Sequence, residues 1–450
     1  MFFGSTAGKR ISLLALILFV GGLAAEAQTA TQTSIAAQAA AVSEFEVNGL
    51  KVIVKRRPSA STVAGGLFIR GGARNITAKN SGIEKLMLAA ATDAGKSIPR
   101  QTVRRELSRL GASISSGAGP DFSTVAFAST RPAFDRVWEI FSEVTLNPAF
   151  APEDVDREKE QMLVGLREAE TSPEGALEAL QDRMLFTGHP YSNEPSGTAA
   201  TITALTPDDL RAYHKGVMRT SQLLFVFVGD LDANELKAKI AATFGKLPRG
   251  DYKDIPYPAL DFSKGTLDVT PRNLPTTYVQ GSFAAPSLAD PDYPAMRVAI
   301  TILHNLVYQE VRVRRQLSYA PGAELNNAAA NTANISVSST DPNQAVSLML
   351  QQVNFMRSRQ LPEGPVDEIS GSFLTSYYIN QQTSAAQAAD LARYELIGGG
   401  WRNSFEFLSR VRQVSPADVQ RVSEKYLKNI RFAVVGNQLA ISRSVFVPAE

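Results

Sequence analysis

The chain has no cysteine and only three histidines, His189, His214 and His304, in 450 residues. The first absence excludes disulfides and a lipid-modified N-terminal cysteine. The second leaves little for an imidazole metal centre. No two histidines stand at i, i+3 or i+4, and ligation needs several convergent ligands. Each is therefore read as structural or solvated: His189 in a cap or turn, His214 on a helix surface, His304 on a helix of the second half. An excess of charge is missing too. The 46 basic and 44 acidic residues give +2, which offers no argument for nucleic acid or for electrostatic membrane binding. Apart from the N-terminus, no apolar run approaches membrane length.

What is present begins with a targeting signal. Lys9 and Arg10 precede an apolar run over 11–23, and Ala25-Glu26-Ala27 is a small-x-small cleavage signal. Residues 1–27 read as a signal peptide, giving a secreted, periplasmic protein with no membrane span after cleavage. Residues 28–43 are polar and Ala/Gln/Thr-rich and read as a tether. The fold then opens with a hairpin around Asn48-Gly49, the strongest two-residue hairpin signal. A strand is expected over 62–70, helices near 81–93, 100–110 and 132–146, and a strand at 125–128. In the last helix Phe134, Val137, Phe141 and Val144 recur at helical spacing, widened by Trp138.

Two distant segments look alike. Thr206-Pro207-Asp208-Asp209-Leu210 leads through a helix into L-L-F-V-F-V-G, ending at Gly229. Ser415-Pro416-Ala417-Asp418-Val419 leads through a helix into I-R-F-A-V-V-G, ending at Gly436. Each opens with a Ser/Thr N-cap and Pro at the first helical position. A duplicated α+β unit accounts for this. The Pro-rich stretch 250–262 divides the chain into an N-terminal half, 44–250, and a C-terminal half, 263–445.

Residues 81–95 read S-G-I-E-K-L-M-L-A-A-A-T-D-A-G. This frame resembles the start of the insulinase/pitrilysin-like zinc peptidases, the inverzincins, where G-I-x-H-x-x-E-H supplies the metal site. The resemblance covers nearly the whole mature chain. Leu146-Asn147-Pro148-Ala149-Phe150 matches the family's L-x-N-P-x-F turn. Phe186-Thr187-Gly188-His189-Pro190-Tyr191 matches F-x-x-H-P-Y, and the block 206–229 matches T-x-x-D-L … V-V-G-D. The resemblance implies an α+β fold: two homologous halves, each a mainly antiparallel sheet packed with helices, forming a clamshell.

The family's chemistry is missing. Lys85 and Ala89 stand at the two His positions and Leu88 at the Glu position. Laying Asp156-Arg157-Glu158 over the family's E-R-E puts Gly165 at the distal ligand. A catalytic zinc needs three protein ligands and an open water position, so no metal is expected in this chain. Glu158, Glu160 and Glu168 read as a solvated helix face paired with Arg157, Lys159 and Arg167. The second half keeps a different motif. Residues 312–319 read R-V-R-R-Q-L-S-Y and resemble the family's R-x-x-x-G-L-x-Y, in which the first Arg and the Tyr hold the peptide and the tetrahedral intermediate. Arg312 and Tyr319 are the matching residues. A guanidinium fork and a phenol suit carbonyl and oxyanion oxygens. From residue types alone, Arg312, Arg314 and Arg315 read more readily as a solvated basic run at a helix end and Tyr319 as a strand residue; the family frame favours the binding role. Val313 and Gln316 replace the usual Glu and Gly. Gly398-Gly399-Gly400-Trp401 reads as a loop between helices.

Some relatives divide the work between two chains, one with the zinc motif and one with the Arg/Tyr pair. The pattern here implies the second type: a non-catalytic, substrate-binding subunit of a heteromeric zinc metalloendopeptidase. Its expected partners are a homologous subunit with an intact H-x-x-E-H, which would hold the zinc, and extended peptides captured at a sheet edge. The alternative is a stand-alone peptide-binding pseudo-peptidase or scaffold with no protease partner.

Overall fold

The computed structural model describes residues 35–447. The signal peptide therefore lies outside the described residues. The chain divides between Ser43 and Glu44 into two units. In the first, residues 35–40 are helical and the first strand opens at Val42. The expected tether over 28–43 is thus structured in the part that is described.

Eleven strands of the described residues form two sheets. The first holds β1 (Val42–Val47), β2 (Leu50–Arg56), β3 (Thr62–Arg70), β4 (Ser113–Ala118), β5 (Phe122–Thr130) and β6 (Leu223–Gly229). Their order is β1-β2-β6-β3-β5-β4. The second holds β7 (Thr266–Pro271), β8 (Thr277–Ala284), β9 (Gly322–Leu325), β10 (Thr332–Ser339) and β11 (Arg431–Gly436), ordered β7-β11-β8-β10-β9. In the β1–β2 turn Asn48 and Gly49 take φ of 50° and 81°, the two left-handed positions a type I′ hairpin requires.

The duplication is visible strand by strand. β6 runs parallel to β2 and antiparallel to β3. β11 likewise runs parallel to β7 and antiparallel to β8. The preceding helices, Pro207–Val217 and Pro416–Tyr426, have equal length. Each starts with a reciprocal capping box, Thr206 with Asp209 and Ser415 with Asp418. The two halves form the clamshell of this α+β fold.

The halves are not separate in space. Helix Pro173–Phe186 of the first half packs on β7, β8 and β11 of the second sheet, whereas helix Ser384–Ile397 of the second half packs on β3 and β6 of the first. Leu177, Leu180, Met184 and Leu185 bury against Ala433 and Val435. Gln181 Nε2 donates to Ser282 Oγ at 2.9 Å in the same layer. Each central strand is therefore covered on both faces, which is why β6 is apolar throughout and all seven of its residues are buried. The opposite face of the first sheet carries an aromatic core in which Trp138, Phe141, Phe225 and Phe244 are in mutual ring contact. The segment joining the halves is pinned back on the first half. The Tyr257 hydroxyl lies 2.6 Å from the Pro120 carbonyl, and the Arg74 guanidinium stacks on the Tyr257 ring. Across the cleft, Ala329 N donates to Asp121 at 3.2 Å and Ala330 N to the Tyr191 hydroxyl at 3.2 Å.

Candidate functional site

Helix Ile83–Asp93 carries Lys85, Leu88 and Ala89 on one face by their i, i+3, i+4 spacing. It packs against helix Pro152–Thr171, which carries Gly165. The fold thus brings together the two helices that the resemblance assigns to a metal site. Their side chains do not fit zinc. Lys85 is exposed and its ammonium donates to Ser196 Oγ at 3.1 Å. Leu88 is 3% exposed and belongs to the hydrophobic core. Gly165 is exposed, with nothing within 4 Å of where a Cβ would stand. Among the described residues, no group of three or more His, Cys, Asp or Glu side chains could hold a metal.

A different polar anchor sets this helix. Glu84 is buried in its first turn, where Tyr213 donates to its carboxylate and Asn75 Nδ2 approaches at 3.3 Å. Burial pushes the Glu84 carboxyl above the usual carboxylate range. At the other end, Asp93 accepts from Arg157, which also pairs with Asp154 at 2.8 Å, and Arg100 joins at 3.2 Å. Arg157 is therefore a tie between two helices. Glu158 is half-buried beside it, and burial and Asp93 raise its carboxyl. The solvated-face reading does not hold for this pair.

The histidines take backbone partners. His189 caps the 3-10 turn Pro190–Ser192. Its Nδ1 accepts from Tyr191 N at 3.1 Å, so Nε2 carries the proton toward Pro258 O at 3.2 Å. His214 is half-buried rather than on a surface. Its Nε2 meets Thr145 O at 2.8 Å, and burial lowers its affinity for a proton. His304 Nδ1 stands against the Ala323 backbone, with N 3.3 Å and O 3.2 Å away.

The Arg/Tyr motif forms a distinct feature. Helix Tyr293–Val307 runs into a π-helical turn, Tyr308–Arg314, and Arg312 projects from it. The Arg312 guanidinium lies 3.9 Å from the centroid of the Tyr319 ring. Tyr319 is 81% exposed. It sits in a bend before β9 rather than opening that strand. The structure splits the basic run in two. Arg314 and Arg315 pair with Glu310 at 3.1 and 3.2 Å. Arg312 makes no ion pair or hydrogen bond among the described residues; its contacts are the faces of Tyr319 and Tyr308. The pair borders an open groove of about 670 Å³ lined by Thr276, Gln316, Ser318, Ser338 and Thr340. Gln316 holds φ of 55° where the family motif has Gly.

A larger cleft of about 730 Å³ lies between the halves and shares Ser338 with the groove. Glu174, Glu178, Asp182, Glu194 and Glu324 line it, with no basic side chain among the described residues. Burial and the charges of Glu194 and Glu178 push the Asp182 carboxyl up to about 7. The sequence analysis missed these residues. Their signal was available, since Glu174, Glu178 and Asp182 stand at i, i+4, i+8 on one helix, where like charges repel.

The comparisons with known proteins agree with this architecture. The family description "Insulinase (Peptidase family M16)" matches residues 51–199, and "Peptidase M16 inactive domain" matches residues 204–370. An uncharacterized zinc protease of Mycobacterium tuberculosis is 22% identical over 84% of this chain and 89% of its own. The mitochondrial-processing peptidase subunit beta of Blastocladiella emersonii is 22% identical over 86% of each chain. Among solved structures, a peptidase M16 inactive domain from Pseudomonas fluorescens superposes with a TM-score of 0.80 at 19% identity, covering 89% of this chain and 99% of that one. A protease from Helicobacter pylori gives 0.78 at 15% identity, covering 88% and 99%. The two family matches together span most of residues 51–370, and the chain belongs to the insulinase-like peptidase family.

Proposed function

We propose that this chain is the non-catalytic, substrate-binding subunit of a periplasmic heteromeric zinc metalloendopeptidase. Zinc would sit in a homologous partner with an intact H-x-x-E-H. The observation that carries the reading is the separation of Arg312 from its neighbours. Glu310 engages both Arg314 and Arg315, while Arg312 keeps its donors unengaged, stacked on an exposed tyrosine. A guanidinium held flat on a ring loses little further freedom on forming a bidentate contact. Its N–H edge and the Tyr319 hydroxyl suit a peptide carbonyl, and the oxyanion that carbonyl becomes at a partner's metal. Lys85, Leu88, Ala89 and Gly165 support the reading from the other side, since they offer no ligand for a zinc of this chain's own. The outer strand β4 makes its ladder with β5 alone among the described residues, which leaves an edge for an extended peptide. At β9, His304 stands against Ala323.

The test mixes the purified chain with a homologue that carries the zinc motif and follows a quenched fluorescent peptide. The chain alone should be inert and the mixture active. Arg312→Ala and Tyr319→Phe should each lower turnover of the mixture, Arg312→Ala by about 10²-fold, while co-elution of the two chains is unchanged. A mixture no faster than the homologue by itself would reject the subunit role and leave a peptide-binding scaffold.

A further inference from the structure

The groove beside Arg312 carries more than the backbone-holding role requires. Its lining is rich in hydroxyl residues, Thr276, Ser318, Ser338 and Thr340, and among the described residues Arg312 is the one charged group that lines it. The nearest carboxylate on the same helical turn, Glu310, is occupied by Arg314 and Arg315. Ser318 is 7% exposed, and its hydroxyl has no hydrogen-bond partner among the described residues. A buried hydroxyl without a partner carries an uncompensated desolvation cost, which an acceptor that enters relieves. Ser339 differs: it donates to Leu317 O at 2.8 Å and accepts from Asp341 N at 3.1 Å, so its hydroxyl is already engaged.

We propose that the Arg312–Ser318 groove is a carboxylate subsite, which selects peptides that present a carboxylate to this face. The geometry favours a planar anion. Stacking fixes the guanidinium plane over Tyr319, with Tyr308 as a second ring at 6.0 Å. Arg312 lines the groove, and a guanidinium fork matches a carboxylate two-on-two. Ser318 adds a short donor from the wall. A groove of this size admits a short peptide segment, and the carboxylate comes from the peptide's C-terminus or from an Asp or Glu side chain. The assignment rests on the substrate-binding role proposed above and narrows the peptide it takes.

The experiment measures anisotropy of three labelled decapeptides on the purified chain: a free acid, its C-terminal amide, and that amide with one internal Glu. The free acid should bind at least 10-fold tighter than the plain amide. Arg312→Met should abolish the difference, and Ser318→Ala should reduce it severalfold with a melting temperature no lower than that of the unsubstituted chain. Tight binding of the Glu-containing amide assigns the subsite to a side chain, and weak binding of it assigns the subsite to the chain terminus. Equal affinity for all three peptides overturns the subsite. If Arg312→Ala still slows the mixed enzyme in that case, the subunit reading stands without it. If neither the preference nor the stimulation is seen, both fall.

Discussion

At the scale of single residues, two positions hold conformations or charges that the fold tolerates at a cost. Asp182 lies in the cleft between Glu178 and Glu194, and its carboxyl is raised to about 7. The unfolded chain releases that proton near the ordinary aspartate value of 3.8. The folded state therefore binds the proton more tightly. The stability that Asp182 contributes is complete at acid pH and is lost as pH rises through 7. Asp182→Asn, which keeps the shape and removes the charge, should raise stability at pH 8 by roughly 2 kcal/mol or more and change it little at pH 4. Denaturant midpoints at the two pH values read this directly, and an equal shift at both would remove Asp182 from the account. Gln316 is the second position, a non-glycine residue with φ of 55°. Gln316→Gly should be nearly neutral, because relief of the left-handed conformation offsets the added freedom of the unfolded chain. Gln316→Val should cost about 1–2 kcal/mol, since a β-branched residue fits that region worst. The motif letters showed that Gln replaces Gly here; only the backbone shows that the glycine-like geometry was kept.

At the scale of elements, the chain's punctuation was legible and its long-range partners were not. The hairpin at Asn48-Gly49, the strand Thr62–Arg70 and the helix Arg100–Leu110 stand where turn residues and periodicity put them. Helix Phe134–Leu146 opens two residues later than expected, because Ala133 and the residues before it form a turn. β4 was missed: S-I-S-S-G-A has no apolar alternation, and it is an outer strand held by pairing with β5. The candidate site divides in the same way. Lys85, Leu88, Ala89 and Gly165 could be named from the motif frame, and so could Arg312 and Tyr319. The partition of the basic run by Glu310, and the cleft carboxylates, depend on which side chains meet in space. The repeated unit gives a prediction of its own. Thr206 and Ser415 make the same capping box on helices of the same length. Thr206→Ala and Ser415→Ala should each cost about 1 kcal/mol, and the double variant should cost the sum because the sites share no partner. A cost confined to one of the two would show that the halves use their repeated helices differently.

At the scale of the whole molecule, the exchanged helices decide how the two halves respond to damage. Helix Pro173–Phe186 lies within the N-terminal half by sequence, and nothing in its periodicity says which sheet its apolar face will meet. In the structure that helix completes the second sheet, and Ser384–Ile397 completes the first. Neither half can bury both faces of its own central strands. Leu180 is 5% exposed and packs against Ala433 and Val435 of β11, although it belongs to the N-terminal half. Leu180→Ala should cost about 2–5 kcal/mol, the usual range for a buried leucine that leaves a cavity. Amide hydrogen exchange then separates two possible behaviours. If the interlocked halves unfold together, the slowest amides of β6 and β11 exchange through the same global opening. Both sets should then accelerate by the same factor, about 30-fold or more. Acceleration restricted to β11, with β6 unchanged, would mean that the halves open independently and that the exchanged helices detach before either sheet melts. A single shared factor would also fit the proposed role, because Arg312 and Tyr319 can keep a fixed orientation toward a partner's active site only if the face that carries them moves with the rest of the chain.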